Sequence, residues 1–160
     1  MKKIYLSVVC LLISIPLIAQ LYVEPEKEVE CSVFLAKEGR GRAQQGLEIW
    51  DDYIFSCEDG GHVNIYDFKS ADPKPVAGFE LASSHPDNHV NNVCFGVETK
   101  RGASFPLLYI TNGKVGSELE WLCFVESITR RGKRFSSEIA QTIELDGSKW
   151  AEKGYVPIFG

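Results

Sequence analysis

The chain alternates short apolar segments with turn-forming residues, and the clearest series lies between Gly46 and Leu81. The acidic and glycine residues of Glu58–Gly61 favour a tight turn, and two prolines in Asp72–Pro75 are incompatible with pairing in a ladder. Between these breaks, β-branched and aromatic residues are concentrated in three segments typical of strands, Tyr53–Cys57, Val63–Phe68 and Val76–Leu81. The pattern predicts a three-stranded antiparallel meander.

A second, looser series of apolar segments follows the first. Its turn signals are Asn112-Gly113, a strong hairpin dipeptide, and the basic stretch Arg130–Arg134. A short strand, Val93–Gly96, is predicted ahead of it at the end of the first meander, and the strands of the second series are Leu107–Thr111, Trp121–Ile128 and Ile139–Leu145. The last three of these correspond in order to the strands of the first series, which gives a unit of roughly 50 to 60 residues, as in propeller blades.

The predicted fold class is all-β, with antiparallel meanders that form about two propeller-like blades. Apolar residues do not recur at helical spacing over three turns beside a recognisable cap, so no helix competes with the strands. We expect four segments: a signal peptide at 1–20, a lead-in at 21–45 with one short strand, Cys31–Leu35, a first meander at 46–96, and a second meander with a tail at 97–160.

Residues 1–20 have the features of a secretory signal peptide. Lys2 and Lys3 precede an apolar segment, Ile4–Ala19, that ends in a small residue suited to the position before a cleavage site. A transmembrane anchor is the competing interpretation, but the segment is short for a span and contains Pro16. A lipoprotein cleavage before Cys10 would place a bulky residue where a small one is required. The sequence predicts an exported protein, periplasmic, at the cell surface or extracellular, with no transmembrane span after cleavage.

Charge and cysteine content narrow the function classes. The formal net charge of −5 becomes −7 when Lys2 and Lys3 are removed, and an acidic domain is a poor candidate for binding nucleic acid. The cysteines that remain after cleavage could form two disulfides, but each lies in an apolar segment where a free thiol packs as a small hydrophobe. We expect core thiols in preference to disulfides at Cys31, Cys57, Cys94 and Cys123.

The segments GLEIWDDYIFSCEDGGHVNIYDF, HVNNVCFG, FPLLYITNG, WLCFVESI and IAQTIEL resemble those of bacterial extracytoplasmic β-propeller proteins with degenerate WD40-like or YVTN-like blades. The resemblance covers about residues 44–146 and implies a binding or scaffolding module, with no catalytic residue to carry over. Two blades do not close a propeller, which typically needs four or more. The chain is therefore predicted to be a truncated relative or to be completed by self-association, because unpaired sheet edges favour pairing.

The most distinctive polar segment is Ser84–Asn92. Its histidine and aspartate side chains are ligand types for a divalent metal, although Pro86 favours a loop over a helix that would align them. The favoured interpretation is structural, with ligand contact as the alternative, and no metal is assigned. The candidate ligand-binding residues here are His85, Asp87, Asn88, His89, Asn91 and Asn92.

A second candidate contact surface is the basic segment at the predicted hairpin tip. The favoured interpretation is structural, a β-hairpin tip with Gly132 at positive φ, and the alternative is contact with an anionic polysaccharide or lipid head group. Its candidate residues are Arg130, Arg131, Lys133 and Arg134. We expect most of the large aromatic side chains to lie in the core or between blades, and if exposed they could stack on sugars; they are Trp50, Tyr53, Tyr66, Trp121 and Trp150.

The predicted function is non-catalytic binding of a protein or glycan at the cell envelope, without a cofactor. The alternative is a fragment of a propeller-type carbohydrate-active enzyme, a lyase or hydrolase. In that case the histidines His85 and His89 would act with acids drawn from Asp51, Asp52, Glu58 and Asp59. Turn positions exposed to water are the simpler interpretation of these acids, and a hairpin position is the simpler interpretation of His62.

Overall fold

A computed structural model describes residues 42–113, 116–147 and 152–153, all within one compact unit, residues 33–160. The predicted signal peptide, the strand Cys31–Leu35 and Trp150 lie outside the described residues. The described part is all-β and contains no helix. Its strands are β1 (Gln44–Trp50), β2 (Tyr53–Glu58), β3 (His62–Asp67), β4 (Ala77–Glu80), β5 (Asn92–Phe95), β6 (Leu108–Thr111), β7 (Leu122–Arg131) and β8 (Arg134–Glu144).

The strands form two four-stranded antiparallel sheets, ordered β1-β2-β3-β4 and β5-β6-β7-β8. The sheets lie against each other, with β1 next to β5 and β4 next to β8. They are not closed into a barrel, and their arrangement is consistent with incomplete propeller-like blades. The predicted fold class is confirmed, and the strand correspondence is also seen, since β2, β3 and β4 hold the same places in their sheet as β6, β7 and β8.

The first meander has four strands, whereas the sequence predicted three. The missed strand is β1, which pairs with β2 through a hairpin closed by Asp51 at a φ of 53°. Its signal was the alternation of Leu47 and Ile49 with Glu48, weakened by Gly46. A Cβ at Gly46 would lie 3.0 Å from the carbonyl oxygen of Val90, so the glycine permits the close approach of this loop.

The second meander also differs from the prediction. Asn92–Phe95 pairs with β6, so it belongs to the second sheet and not to a first meander that ends at residue 96. Asn112-Gly113 does not form a tight hairpin, because a longer connection, 112–121, separates β6 from β7. The fully buried Asn112 holds this connection by donating its Nδ2 to the Ser117 hydroxyl at 3.1 Å.

The core lies between the inner faces of the two sheets. Phe55, Cys57, Val63 and Ile65 project from the first sheet and are completely buried. Phenylalanine rings from three other segments meet Phe55 edge-on, with centroid distances of 5.0 Å to Phe95, 5.2 Å to Phe105 and 6.4 Å to Phe135. Such edge-to-face pairs add to the stabilisation that burial itself provides.

The described cysteines are all free thiols. Cys57 and Cys123 are buried, as the sequence predicts for core thiols, whereas Cys94 is exposed and is not a core residue. Burial, with a smaller effect of the nearby Glu126 carboxylate, raises the pKa of Cys57 to about 12. Burial also raises the pKa of Cys123.

Candidate functional site

The antiparallel sheets place their connections at two ends. The end of the sheets that carries connections 59–61, 81–91 and 112–121 is called the closed end. The end that carries connections 51–52, 68–76, 96–107 and 132–133 is called the open end. Strand β2 runs from the open end at Tyr53 to the closed end at Glu58. The candidate segment Ser84–Asn92 lies at the closed end, and the basic hairpin tip lies at the open end.

The side chain of Asn88 closes the loop Ser84–Asn92. It is completely buried, its Nδ2 donates to the carbonyl oxygen of Ser83 at 2.9 Å, and its Oδ1 accepts from the backbone N–H of Val90 at 3.1 Å. The loop is held from the other sheet as well, since the N–H of His89 donates to Oδ1 of Asn112 at 3.0 Å. Asn88 therefore serves the structure and has no surface to offer a ligand.

A buried carboxylate joins this loop to the second sheet. Glu126 on β7 is completely buried and accepts the backbone N–H of Ala82 at 3.0 Å and that of Ser83 at 2.8 Å. The Ala82 N–H also donates to the hydroxyl of Ser137 at 2.8 Å. Two backbone donors on one carboxylate satisfy a charge that would otherwise be costly to bury.

A pocket of about 220 Å³ opens at the closed end, and we call it the His62 pocket. Nδ1 of His62 lies 2.8 Å from Oε1 of Glu80, and the hydroxyl of Ser84 donates to the Gly60 carbonyl at 2.8 Å and to Oε2 of Glu80 at 3.3 Å. Glutamate thus lies between serine and histidine, so no histidine receives the Ser84 proton as a general base. The lining residues are Arg42, Asp59, Gly60, His62, Glu80, Ser84, His85 and Pro86.

The other histidines of this end make separate contacts. Nδ1 of His85 accepts the backbone N–H of Asp87 at 3.1 Å, and Nε2 of His89 lies 3.7 Å from Oδ1 of Asp59. In residues 42–113, 116–147 and 152–153, no three His, Cys, Asp or Glu side chains are grouped to hold a metal ion. Of the remaining predicted residues, Asn91 packs against Gly113, and Asn92 begins β5 with its side chain exposed.

The acids considered for catalysis fall into two groups. Asp51 and Asp52 lie at the open end, whereas Asp59 follows β2 at the closed end, so the length of a strand of about 17 Å separates them. Paired glycosidase carboxylates lie roughly 5 to 9.5 Å apart. The sequence predicted that Glu58 is a water-exposed turn acid, and this prediction is wrong. Glu58 ends β2, is only 2% exposed and accepts Nδ2 of Asn64 at 2.7 Å.

Two adjoining pockets form a groove at the open end, which we call the Arg130 groove. One has a volume of about 460 Å³ and the other about 440 Å³. Tyr53, Arg130 and Gly132 line both pockets and form the ridge between them. Trp50, which is 41% exposed, lies in the first pocket, and Asp67, Asp72 and Lys133 lie in the second.

The side chain of Arg130 is held in place by three contacts. Its guanidinium carbon lies 4.9 Å from the ring centroid of Tyr53 and 5.8 Å from that of Phe135. Its Nε donates to the carbonyl oxygen of Gly132 at 2.8 Å. The basic tip is a tight hairpin with Gly132 at a φ of 64°, as the structural interpretation predicted. Arg131 and Arg134 are exposed and line neither pocket.

The sequence named Trp50, Tyr53 and Arg130 separately, and the structure brings them together. The sequence did not predict the contact between His62 and Glu80 or the role of Glu126. A lone glutamate within the apolar segment of β7 was the available signal for Glu126. The other aromatic candidates differ in exposure: Tyr66 is buried and Trp121 is half-buried.

No protein-family model matches the chain, and no curated protein matches it. Within the described residues, a helix long and apolar enough to cross a lipid bilayer is not found.

Proposed function

We propose that this chain is a non-catalytic binding protein of the cell envelope, and that its ligand is a glycan bound in the Arg130 groove. The observation that supports this proposal is the pair of adjoining pockets, about 460 and 440 Å³, that share an aromatic ridge at Tyr53. Each volume lies within the range of ligand sites in proteins. An elongated ligand that crosses the ridge would contact both pockets.

The chemistry of the groove suits a sugar chain. Trp50 offers an exposed indole on which a sugar ring can stack, and its edge-on contact with Phe95 at 5.7 Å holds the indole in position. The carboxylates of Asp67 and Asp72 can accept hydrogen bonds from sugar hydroxyl groups. Apolar surface beside a few oriented polar groups is the usual composition of such a site.

Binding without turnover is favoured by the arrangement of the acids. Asp51 and Asp59 are separated by the length of β2, and Ser84 has no histidine base. A glycosidase would require a carboxylate pair roughly 5 to 9.5 Å apart, and Asp51 with Asp59 does not form one.

We also propose that copies of the chain associate through their sheet edges. The edge strand β8 exposes Ile139, 44% accessible, and the edge strand β1 exposes Leu47, 57% accessible. Unpaired edges with apolar side chains favour strand pairing between chains. Light scattering on the eluted peak of a sizing column should give the mass of a dimer or larger species, and a monomer mass at micromolar concentration would contradict the proposal.

The test of glycan binding is calorimetric titration of the purified chain with oligosaccharides selected on a glycan array. Trp50→Ala should weaken the binding of a selected sugar roughly tenfold or more, since a buried aromatic contact often dominates an interface. The matched control is Phe68→Ala, because Phe68 is 44% exposed and lines neither pocket. Absence of any sugar ligand, or equal binding by both variants and the parent chain, would refute glycan binding in this groove.

A further inference from the structure

We propose that the ligand is an oligosaccharide with an isolated acidic sugar, and that Arg130 binds the carboxylate of that sugar at the ridge between the two pockets. This inference rests on the proposed function, and it adds the chemical class of the ligand and the residue that selects it.

The guanidinium of Arg130 is held in one orientation, but not all of its N–H donors have a hydrogen-bond partner. One face lies against Tyr53, and Nε is occupied by the Gly132 carbonyl. In the part of the chain that the structure describes, its two terminal nitrogens have no hydrogen-bond or ion-pair partner. A planar guanidinium with two such nitrogens presents parallel donors that match the two oxygens of a carboxylate. Contact with the ring also reduces the rotamer freedom that Arg130 would lose on binding.

Two acids of the groove, Asp67 and Asp72, accept hydrogen bonds from its own loops. Oδ1 of Asp67 accepts the backbone N–H of Lys69 at 2.9 Å, and Oδ1 of Asp72 accepts the backbone N–H of Lys74 at 3.1 Å. Their remaining lone pairs suit hydroxyl donors. Lys133, by contrast, has no partner among the described residues. Lys133 and the terminal nitrogens of Arg130 therefore offer positive charge in the groove, facing the carboxylate of Asp51 in the first pocket, although the chain as a whole carries −5.

The same acids limit how much negative charge a ligand can carry. Three carboxylates line the groove, Asp51 in one pocket and Asp67 and Asp72 in the other. A ligand with an acid on every sugar would place like charges next to them, which weakens binding. A single acidic sugar at Arg130, flanked by neutral sugars in both pockets, fits this distribution of charge.

The experiment compares matched acidic and neutral sugars. The probes are glucuronosyl-xylotriose and a hyaluronan tetrasaccharide, each with its carboxyl-reduced counterpart, titrated calorimetrically into the purified chain. We expect the acidic form of at least one pair to bind roughly 10- to 100-fold more tightly than its reduced form, as hydrogen bonds to a charged group would give. Arg130→Ala should abolish that difference, Arg130→Lys should leave a small part of it, and Arg134→Ala should preserve it. Circular dichroism of each variant verifies the fold.

The outcomes separate the inference from the proposed function. Equal binding of acidic and reduced forms, still lost in Trp50→Ala, would overturn the acidic-sugar inference and leave glycan binding in place. A preference for the acid that survives in Arg130→Ala, or that is lost equally in Arg134→Ala, would also overturn it. Failure of every probe, or binding of hexaglutamate more tightly than any sugar, would overturn both proposals.

Discussion

The two ends of the molecule differ in how most of their polar side chains are used, although Oδ1 of Asp59 at the closed end is buried without a hydrogen-bond partner in the described part of the chain. At the closed end, the buried side chains of Asn88, Asn112 and Glu120 bond to backbone groups, and the buried hydroxyl of Ser83 accepts Nδ2 of Asn88. Within the described residues, the open-end connections contain no buried polar side chain, and some of their polar groups, among them Asp51, Asp72 and Lys133, line the Arg130 groove. Polar groups that a fold satisfies internally add to its specificity, whereas groups left at the surface remain able to bind a ligand. The comparison directs the search for function to the open end.

The largest expected effect tests the internal bonding of the closed end. Glu126→Ala leaves the N–H of Ser83 without its acceptor and removes one of two acceptors from Ala82. Because each buried unsatisfied donor costs about 1–3 kcal/mol, we expect a loss of about 3 kcal/mol in the free energy of unfolding, measured by urea denaturation. Glu126→Gln keeps one amide oxygen and should lose less. A loss below about 1 kcal/mol for the alanine variant would show that the carboxylate does not hold this end.

The next effect compares a glycine from each end. Gly61 has a φ of +96°, and a Cβ there would lie 2.8 Å from Cα of Ser84. Gly132 has a φ of +64°, and a Cβ there would meet nothing within 4 Å. Gly61→Ala combines backbone strain with a clash and should cost about 2–3 kcal/mol, whereas Gly132→Ala carries strain alone and should cost about 1 kcal/mol. Thermal unfolding of both variants gives the ranking, and equal losses would contradict the tighter packing of the closed end.

The two ends also differ in how much the sequence could predict. The hairpin at Arg130–Arg134 follows from local turn chemistry, since Gly132 accepts positive φ at little cost. The dipeptide Asn112-Gly113 carries an equally strong local signal, but the tight hairpin that it predicted is not formed. The buried amide of Asn112 bonds instead to Ser117 and to the His89 backbone across the fold. Tertiary hydrogen bonds overrode the local preference at the closed end.

The Arg130 groove could be predicted only as separate parts. Trp50 and the basic residues near Gly132 were named as separate candidates, but the exposure of Trp50 and its position beside Arg130 depend on how the β1–β2 turn lies beside the β7–β8 hairpin. That placement follows from sheet-to-sheet packing around Phe55 and Phe135, which no local pattern encodes. Strand β1 was missed for a related reason, since its glycine is required by contact with Val90 rather than by a turn.

The third prediction uses pH to probe the core. The pKa of Cys57 is about 12 in the folded state and 9.0 for an ordinary thiol. Because the folded pKa is raised, this thiol's contribution to stability is complete below pH 9 and is lost as the pH rises towards 12, by about 1.4 kcal/mol per pH unit within that window. Urea denaturation at pH 8 and pH 10 should show a smaller alkaline loss in Cys57→Ala than in the parent chain.

Two controls accompany this titration. Cys123→Ala changes a second thiol with a raised pKa, and Cys94→Ala changes an exposed one. Labelling by iodoacetamide at pH 8, located by mass spectrometry, should modify Cys94 and leave Cys57 unmodified in the folded chain, since a buried neutral thiol is a poor nucleophile. Rapid labelling of Cys57 would show that the core beside Glu126 opens readily.

The smallest expected effect decides whether the His62 pocket matters for function. The contact of His62 with Glu80 is partly exposed, with 19% and 38% of the two side chains accessible, and such exposed contacts contribute less than about 1 kcal/mol. His62→Ala should therefore change the free energy of unfolding by no more than Lys100→Ala, which removes the exposed pair with Glu138 at 2.8 Å. Sugar binding in the Arg130 groove should be unchanged in both variants, because His62 and Tyr53 lie at opposite ends of the first sheet.

If His62→Ala abolished sugar binding while the fold persisted, the comparison between the ends would be reversed. The closed end would then hold the ligand, and the internal bonds of Ser84 and Glu80 would be preorganisation of a site rather than closure of a loop.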